Sequence, residues 1–273
     1  MTSTPAFVDT DFTALTAKIT RERGFGCASY KDKCLRRRIA VRMRARGVHT
    51  YRDYSRVLDG DAHEYERLLD ALTINVTRFF RNPEAWAALD TKVFATAMRA
   101  APEPLRVWSA GCASGEETYT LGVLLHRHAA ALGRRARPAS VLGTDIDKAS
   151  LEAAERGVYE APTLCELPPE VRSAYFPGAA PHAVPPAVRA LVRFARHDLL
   201  ADPPPAGPFD VIVCRNVTIY FDRPSQMALL DRFHDALAPG GVLMIGKVET
   251  LSGATRARYE TVDARERIFR RAP

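Results

Sequence analysis

Through the first 74 positions apolar residues fall at helical spacing, so Phe7 to Ile74 reads as helix throughout. Phe12, Leu15 and Ile19 make one stripe, and Gly24 and Gly26 break it. Leu35, Ile39 and Met43 line one face of a second helix, from about Lys31 to Arg46, which Gly47 is placed to end. Two shorter helices follow, Tyr51 to Val57 and Glu64 to Leu72. After a linker, Pro83 starts a helix to about Ala100 with Trp86, Leu89, Val93 and Phe94 inward, closed by Pro102 and Pro104. From Leu105 the rhythm changes. Leu105, Val107 and Trp108 form a short apolar run, Ser109 to Gly115 is a loop of small residues, and Tyr119, Leu121, Leu124 and Leu125 return to helical spacing. That is strand, tight loop and helix, the first unit of a βαβ crossover.

A second strand, Ser140 to Thr144, ends in Asp145, and a helix then runs to Gly157 with Leu151 and Ala154 inward. Ala190 to Ala195 reads as a strand, and Phe209 to Cys214 as a buried parallel one. Gln226 to Leu237 reads as a helix with Gly240-Gly241 as its cap, then Val242 to Lys247 as a strand and Glu260 to Arg270 as a closing strand or hairpin. Val158 to Arg189 breaks this order with seven prolines. Leu164, Leu167, Tyr175 and Phe176 argue that it packs as a small subdomain.

The loop after the first strand carries chemistry. Small residues let a backbone pass close to a ligand, and the following helix points its free N–H groups at the same spot. A dinucleotide site asks for Gly-x-Gly-x-x-Gly, whereas this loop has only Gly111 and Gly115. Glu116 and Glu117 stand where a pyrophosphate would sit, and they suit an ammonium or a sugar hydroxyl instead. Asp145, at the tip of the second strand, is placed for ribose hydroxyls. A nucleoside without phosphate, bearing an amine, describes S-adenosylmethionine. An ordinary capped helix after an ordinary strand accounts for the loop alone equally well.

The chain has 273 residues, 47% of them hydrophobic, with no apolar run long enough to cross a membrane. Met1 to Ala14 shows no basic start of a secretory signal. Cys27, Cys34, Cys112, Cys165 and Cys214 form no Cys-x-x-Cys pair, which suits reduced thiols and a cytoplasmic location. No metal-ligand spacing is present, so no metal is expected. The net charge of +7 suggests an acidic partner surface. Much of it lies on the second helix, where Lys31, Lys33, Arg36, Arg37, Arg38, Arg42, Arg44 and Arg46 face one acid, Asp32. Such a run is either a solvated face or a docking surface for acid-rich helices or nucleic acid.

Four motifs occur in order: Asn75-x-Thr77-x-Phe79-Phe80-Arg81, Ser114-Gly115-Glu116-Glu117, Thr144-Asp145-Ile146-Asp147 and Cys214-Arg215-Asn216-Val217-x-Ile219-Tyr220-Phe221-Asp222. Together they resemble the chemotaxis-receptor glutamate methyltransferases, the CheR family, over nearly the whole chain. The Lys31 to Gly47 stretch is similar to that family's basic helix. The resemblance implies an α/β fold class: an N-terminal all-helical domain, then a Rossmann-like class I methyltransferase domain with a small inserted antiparallel subdomain. The boundaries expected are 1–74 for the helical domain, 75–104 for a linker and helix, and 105–273 for the cofactor domain, with 158–189 inserted.

What the resemblance implies goes residue by residue. Asn75, Thr77 and Arg81 would reach the cofactor region from the linker, where one Phe anchors to a core and Arg81 points into a site. Glu117 would meet the methionine part of S-adenosylmethionine, Asp145 the ribose, and Asp198 and Leu199 the adenine. Arg215 and Asn216 would line the floor. Arg81 and Tyr220 match the catalytic positions. Lys31, Arg38, Arg42 and Arg44 match basic docking positions, with Arg38 and Arg42 on one face. The partners implied are cytoplasmic helices of methyl-accepting receptors, with S-adenosylhomocysteine as product. Nucleic acid and membrane insertion are not expected, and the expected state is a monomer.

There are departures. Thr118 stands where the family has proline, and Gly246-Lys247-Val248-Glu249 where it shows Gly-His-Ser-Glu, so Lys247 and Val248 bear on substrate choice. A nucleic-acid methyltransferase and a non-catalytic cofactor sensor share the fold. The first asks for an Asn-Pro-Pro-Tyr motif or a catalytic Cys, and Arg215-Asn216 follows Cys214 instead. The second is disfavoured by retention of Arg81 and Tyr220. Transfer to a glutamate carboxylate needs no general base, since that group ionises at about pH 4.3. This fits the absence of a His or Cys constellation.

Overall fold

The structure is a computed structural model and describes residues 9–73, 75–99, 103–251 and 253–272. It divides into two units, one built from the residues before position 75 together with Tyr220–Pro224, the other from the remainder.

In the helical unit, α1 (Thr10–Arg23) starts at Asp9, whose carboxylate accepts the Phe12 N–H, and stops at Gly24 in the left-handed region. Then come α2 (Asp32–Ala45), α3 (Tyr51–Gly60, capped by Thr50) and α4 (Ala62–Leu72, capped by Asp61). Gly47 follows α2 at φ 66° and donates to the Arg44 carbonyl. The expected stripes form the core: Phe12, Leu15 and Ile19 meet Leu35, Ile39 and Met43, with Tyr54, Leu58, Tyr65 and Leu68 from the later helices. Phe7 and Ile74, the ends of the expected helical stretch, and Ala100 and Pro102 lie outside the described residues.

The basic helix is two-faced. Arg42 grips Glu64 of α4 at two points, Nε to Oε1 at 3.0 Å and Nη2 to Oε2 at 2.5 Å, and the Tyr54 hydroxyl donates to the same carboxylate at 2.7 Å. Glu64 is fully buried. Burial pushes its carboxyl up, but the Arg42 and Tyr54 hydrogen bonds outweigh that and hold it low. Arg38 donates to the Ala71 carbonyl of α4 and lies over the Tyr220 ring, 5.7 Å from its centre. Arg38 and Arg42 do share a face, and part of each side chain reaches α4 there. Lys31, Lys33, Arg37 and Arg44 are exposed, with Val41 among them at 48%. Tyr220 belongs to this unit, and its carbonyl accepts the Lys31 N–H at 2.9 Å.

The second unit opens with α5 (Pro83–Leu89), which continues through a π-helical turn over Asp90–Phe94 to Ala95–Ala97. The sheet comprises β1 (Leu105–Ala110), β2 (Ala139–Asp145), β5 (Val192–Arg196), β6 (Phe209–Cys214), β7 (Leu237–Ile245), β8 (Tyr259–Asp263) and β9 (Ile268–Arg271). Their order is β5-β2-β1-β6-β7-β9-β8. The first five run parallel, and the β8–β9 hairpin is antiparallel. α6 (Glu116–Leu132) follows β1 and α7 (Lys148–Arg156) follows β2. The insertion pairs β3 (Val158–Tyr159) with β4 (His182–Ala183) antiparallel, and Leu164, Leu167 and Phe176 join the main core.

Gly240-Gly241 does not cap the preceding helix. Strand β7 begins at Leu237, and the two glycines absorb a register shift against β6 between Phe209 and Val211. Among the described residues no helix is long and apolar enough to cross a membrane.

Candidate active site

The sheet order reverses direction between β1 and β6. Ligands of open α/β sheets lie beyond the carboxyl ends of the strands at such a point. Here those ends carry Gly111-Cys112-Ala113-Ser114-Gly115 and Arg215-Asn216-Val217. The two loops touch. A Cβ on Gly111 would lie 2.6 Å from Val217 Cγ2, and Gly111 has φ 81°, so the approach requires glycine on both counts.

Backbone strain gathers at the same place. Five described non-glycine residues have positive φ: Phe80, Asn82, Ala113, Asn216 and Arg267. All but Arg267 lie in or beside the motifs. Such conformations persist only where surrounding contacts hold them, and they concentrate at functional sites.

Asp145 binds the first loop to the second strand. Its Oδ2 accepts the Ala113 N–H at 2.8 Å and its Oδ1 the Asp147 N–H at 3.0 Å. Each oxygen keeps a lone pair for a hydroxyl. Burial raises its pKa. Glu117, in the first turn of α6, accepts from Ser109 Oγ at 2.9 Å and lies 3.9 Å from Arg215 Nη1. Burial pushes Glu117 up to about 7 against the opposing pull of Arg215. Glu116 also rises through burial and accepts from Ser114 Oγ at 2.8 Å.

Arg215 is itself buried, which lowers its pKa. Its guanidinium stands over the Trp86 ring, 4.9 Å from the centre, and Nη2 donates to Asn82 Oδ1 at 3.0 Å. Its Nε is buried and without a hydrogen-bond partner. A buried acid, Glu117, and a buried guanidinium, Arg215, thus stand close together at the strand ends.

The linker is fastened from three sides. Asn75 Nδ2 donates to Asp147 Oδ2. The Phe80 N–H donates to Thr120 Oγ1 of α6 at 3.0 Å, and the Asn82 N–H to Glu166 Oε2 of the insertion at 2.8 Å. Both Phe79 and Phe80 are buried, so the pair anchors as a whole, not through one ring. Arg81 remains half-buried and donates from Nη1 to the Val76 carbonyl at 3.0 Å, and its carbonyl accepts from Trp86 Nε1 at 2.9 Å. Its charge helps hold Glu117 down.

Two family models match the chain. The CheR methyltransferase all-alpha domain covers residues 10–73, and the CheR methyltransferase SAM binding domain covers residues 75–268. A chemotaxis protein methyltransferase of Klebsiella aerogenes is 37% identical over 259 residues, 92% of this chain and 87% of the relative. One of Listeria innocua is 35% identical over 245 residues, 89% and 91%. One of Escherichia coli is 34% identical over 264 residues, 94% and 90%.

The chain belongs to the CheR methyltransferase family. It is an S-adenosylmethionine-dependent methyltransferase on a mostly parallel α/β sheet.

Within this CheR chain the residues singled out from sequence fall in several surroundings. Asn75 and Arg81 lie on the linker, Glu117 in the first turn of α6, Asp145 at the end of β2, and Arg215 and Asn216 on the loop after β6, with Thr77 half-buried near Asn75 in the chain. Asp198 heads a turn after β5, its Oδ1 accepting from Leu200 and Ala201, while Leu199 is buried. The neighbouring His197 N–H donates to the Asp145 carbonyl at 2.9 Å, which ties this turn to the end of β2. Lys247 sits between Glu266 at 3.3 Å and Glu84 at 3.6 Å, and Val248 is 73% exposed. Sequence reasoning passed over Trp86, Asn82, Ser109 and Glu166. The signal for Ser109 is a polar residue in an apolar strand, and Trp86 reads from sequence as core alone. Asn82 and Glu166 carry no local signal, because their partners lie far along the chain.

Proposed function

We propose that this protein transfers a methyl group from S-adenosylmethionine to glutamate side chains on the cytoplasmic helices of chemoreceptors, forming methyl esters. The observation that carries the cofactor side is Glu117: a buried carboxylate with a raised pKa suits an incoming ammonium, beside a second acid, Asp145, that suits ribose hydroxyls. The residues fit the cofactor. Glu117 holds its amine, Asp145 its ribose and Asp198 and Leu199 its adenine, with Asn75, Thr77, Arg215 and Asn216 around them. When bound, S-adenosylmethionine supplies a methyl group on a positively charged sulfur.

Arg81 orients the substrate carboxylate through its planar fork, which matches two oxygens at once. The carboxylate is ionised at neutral pH, so the protein's task is to orient it and strip its water. The Tyr220 hydroxyl helps place the reacting groups. Names of the relatives support chemotaxis as the setting, and the exposed basic face of α2 supports an acidic helix as substrate. Lys33, Arg37 and Arg44 form that face, with Lys31 exposed just before the helix and Arg38 and Arg42 partly exposed beside α4. Mapping methyl groups by mass spectrometry on a receptor cytoplasmic fragment tests the proposal. Methyl groups on glutamates support it, and methylation confined to other residue types rejects it.

A further inference from the structure

We propose that Glu249 is a positioning residue, whose carboxylate fixes the Asn216–Thr218 turn that floors the cofactor pocket. This rests on the function proposed above.

Five donors converge on this one buried side chain, which is 3% exposed. Oε2 accepts the Asn216 N–H at 3.0 Å and the Gly246 N–H at 2.5 Å. Oε1 accepts the Val217 N–H at 3.0 Å, the Thr218 N–H at 2.8 Å and the Thr218 hydroxyl at 2.8 Å. Three successive N–H groups turned to one side make a concave anion site, and here the anion is part of the chain itself. The turn needs such a hold because Asn216 is at φ 61°. What the turn carries is functional: Arg215 precedes it, and Val217 packs on Gly111. The Glu249 carboxylate thus sets where β6 meets the first loop, without being the group that touches the substrate.

A glutamine at this position keeps the shape but not the chemistry. Its single carbonyl can serve one set of donors, and its NH2 then faces N–H groups it cannot accept from. The variant also removes a negative charge near Glu117. The groups bearing on Glu117 are Arg215, Ser109, Glu249 and Arg81, and of these Glu249 alone raises it. Loss of that charge lets Glu117 fall.

The test is calorimetric binding of S-adenosylhomocysteine across pH, with thermal melting alongside, for wild type, Glu249→Gln and Thr218→Val. Wild type binds. Glu249→Gln weakens binding by roughly tenfold or more, the scale of unpaired buried donors. It also moves the acid limb of binding to lower pH, while melting falls by no more than about 5 °C. Thr218→Val takes away one donor and leaves the charge, so it weakens binding by a smaller factor and leaves the acid limb in place. Glu249→Gln binding within about twofold of wild type overturns the proposal. So do equal effects from the two variants, since that is what a purely structural role gives. Absence of wild-type binding is a different failure: it removes the functional reading before any variant is compared.

Discussion

Arg215 and Glu117 face each other at 3.9 Å with both side chains nearly out of water, 2% and 11% exposed. At that separation the pair is not a closed hydrogen-bonded ion pair, whose contacts run nearer 2.7–2.9 Å. Each charge therefore carries part of its desolvation cost. A ligand ammonium would lower that cost for Glu117, as the function proposed above requires.

The pH dependence of cofactor binding follows. Glu117 stands at about 7 in the free protein, above the ordinary 4.5, so near pH 6 it is largely protonated. Pairing with an ammonium requires the ionised form. Affinity for S-adenosylhomocysteine should rise as pH rises through about 7. Calorimetry in buffers of different ionisation enthalpy should show proton release on binding at pH 6 that disappears by about pH 8.5. For the ligand-free protein the sign is opposite. A carboxyl raised on folding adds stability below its unfolded pKa, and that contribution is lost as pH climbs through the folded value.

The two faces of α2 should separate in mutagenesis. Arg42→Ala leaves Glu64 buried without its cation and should cost about 3 kcal/mol, read by chemical denaturation. Reversing the exposed Lys33 and Arg37 to Glu should leave stability within about 0.5 kcal/mol of wild type. It should raise the KM for an acidic receptor fragment at low salt, and added salt should shrink that difference. If the reversal leaves KM unchanged, the exposed charge only confers solubility.

Gly111→Ala should be poorly tolerated. Its φ of 81° and the 2.6 Å approach of Val217 leave no room for a methyl group. The expected loss is about 1–3 kcal/mol of stability. Cofactor affinity should fall as well, because displacing Val217 moves Asn216. Gly26, whose Cβ would meet nothing within 4 Å, is the control, and Ala there should behave as wild type.

Arg81 should act on turnover more than on affinity. Arg81→Ala is expected to lower kcat by about a hundredfold while S-adenosylhomocysteine binding changes by less than about tenfold. Tyr220→Phe should show the same direction. Equal losses in kcat and affinity would make both residues part of cofactor binding alone.

The elements and most strand ends were legible in the sequence because periodicity reports burial directly. Leu105 to Leu125 announced β1, the loop and α6, and Gly24, Gly47 and Gly157 marked helix ends that the structure places in the left-handed region. The Gly240-Gly241 pair misled because a bulge and a helix cap ask for the same residue. The basic helix was legible as charge alone. A run of arginines states charge, but not partners, and only the fold brings Glu64 to Arg42 and the Ala71 carbonyl to Arg38. Glu249 stands in the sequence as the end of the Gly246-Lys247-Val248-Glu249 run, with nothing local to mark it. Its importance comes from five donors that no local pattern joins.

The central claim is methyl transfer to glutamate. The direct measurement incubates the protein with methyl-labelled S-adenosylmethionine and a chemoreceptor cytoplasmic fragment, then treats the labelled fragment with mild alkali. The account predicts label on the receptor fragment, released by alkali as volatile methanol, and abolished in Arg81→Ala. Label that survives alkali, or that appears on nucleic acid and not on the receptor, contradicts it.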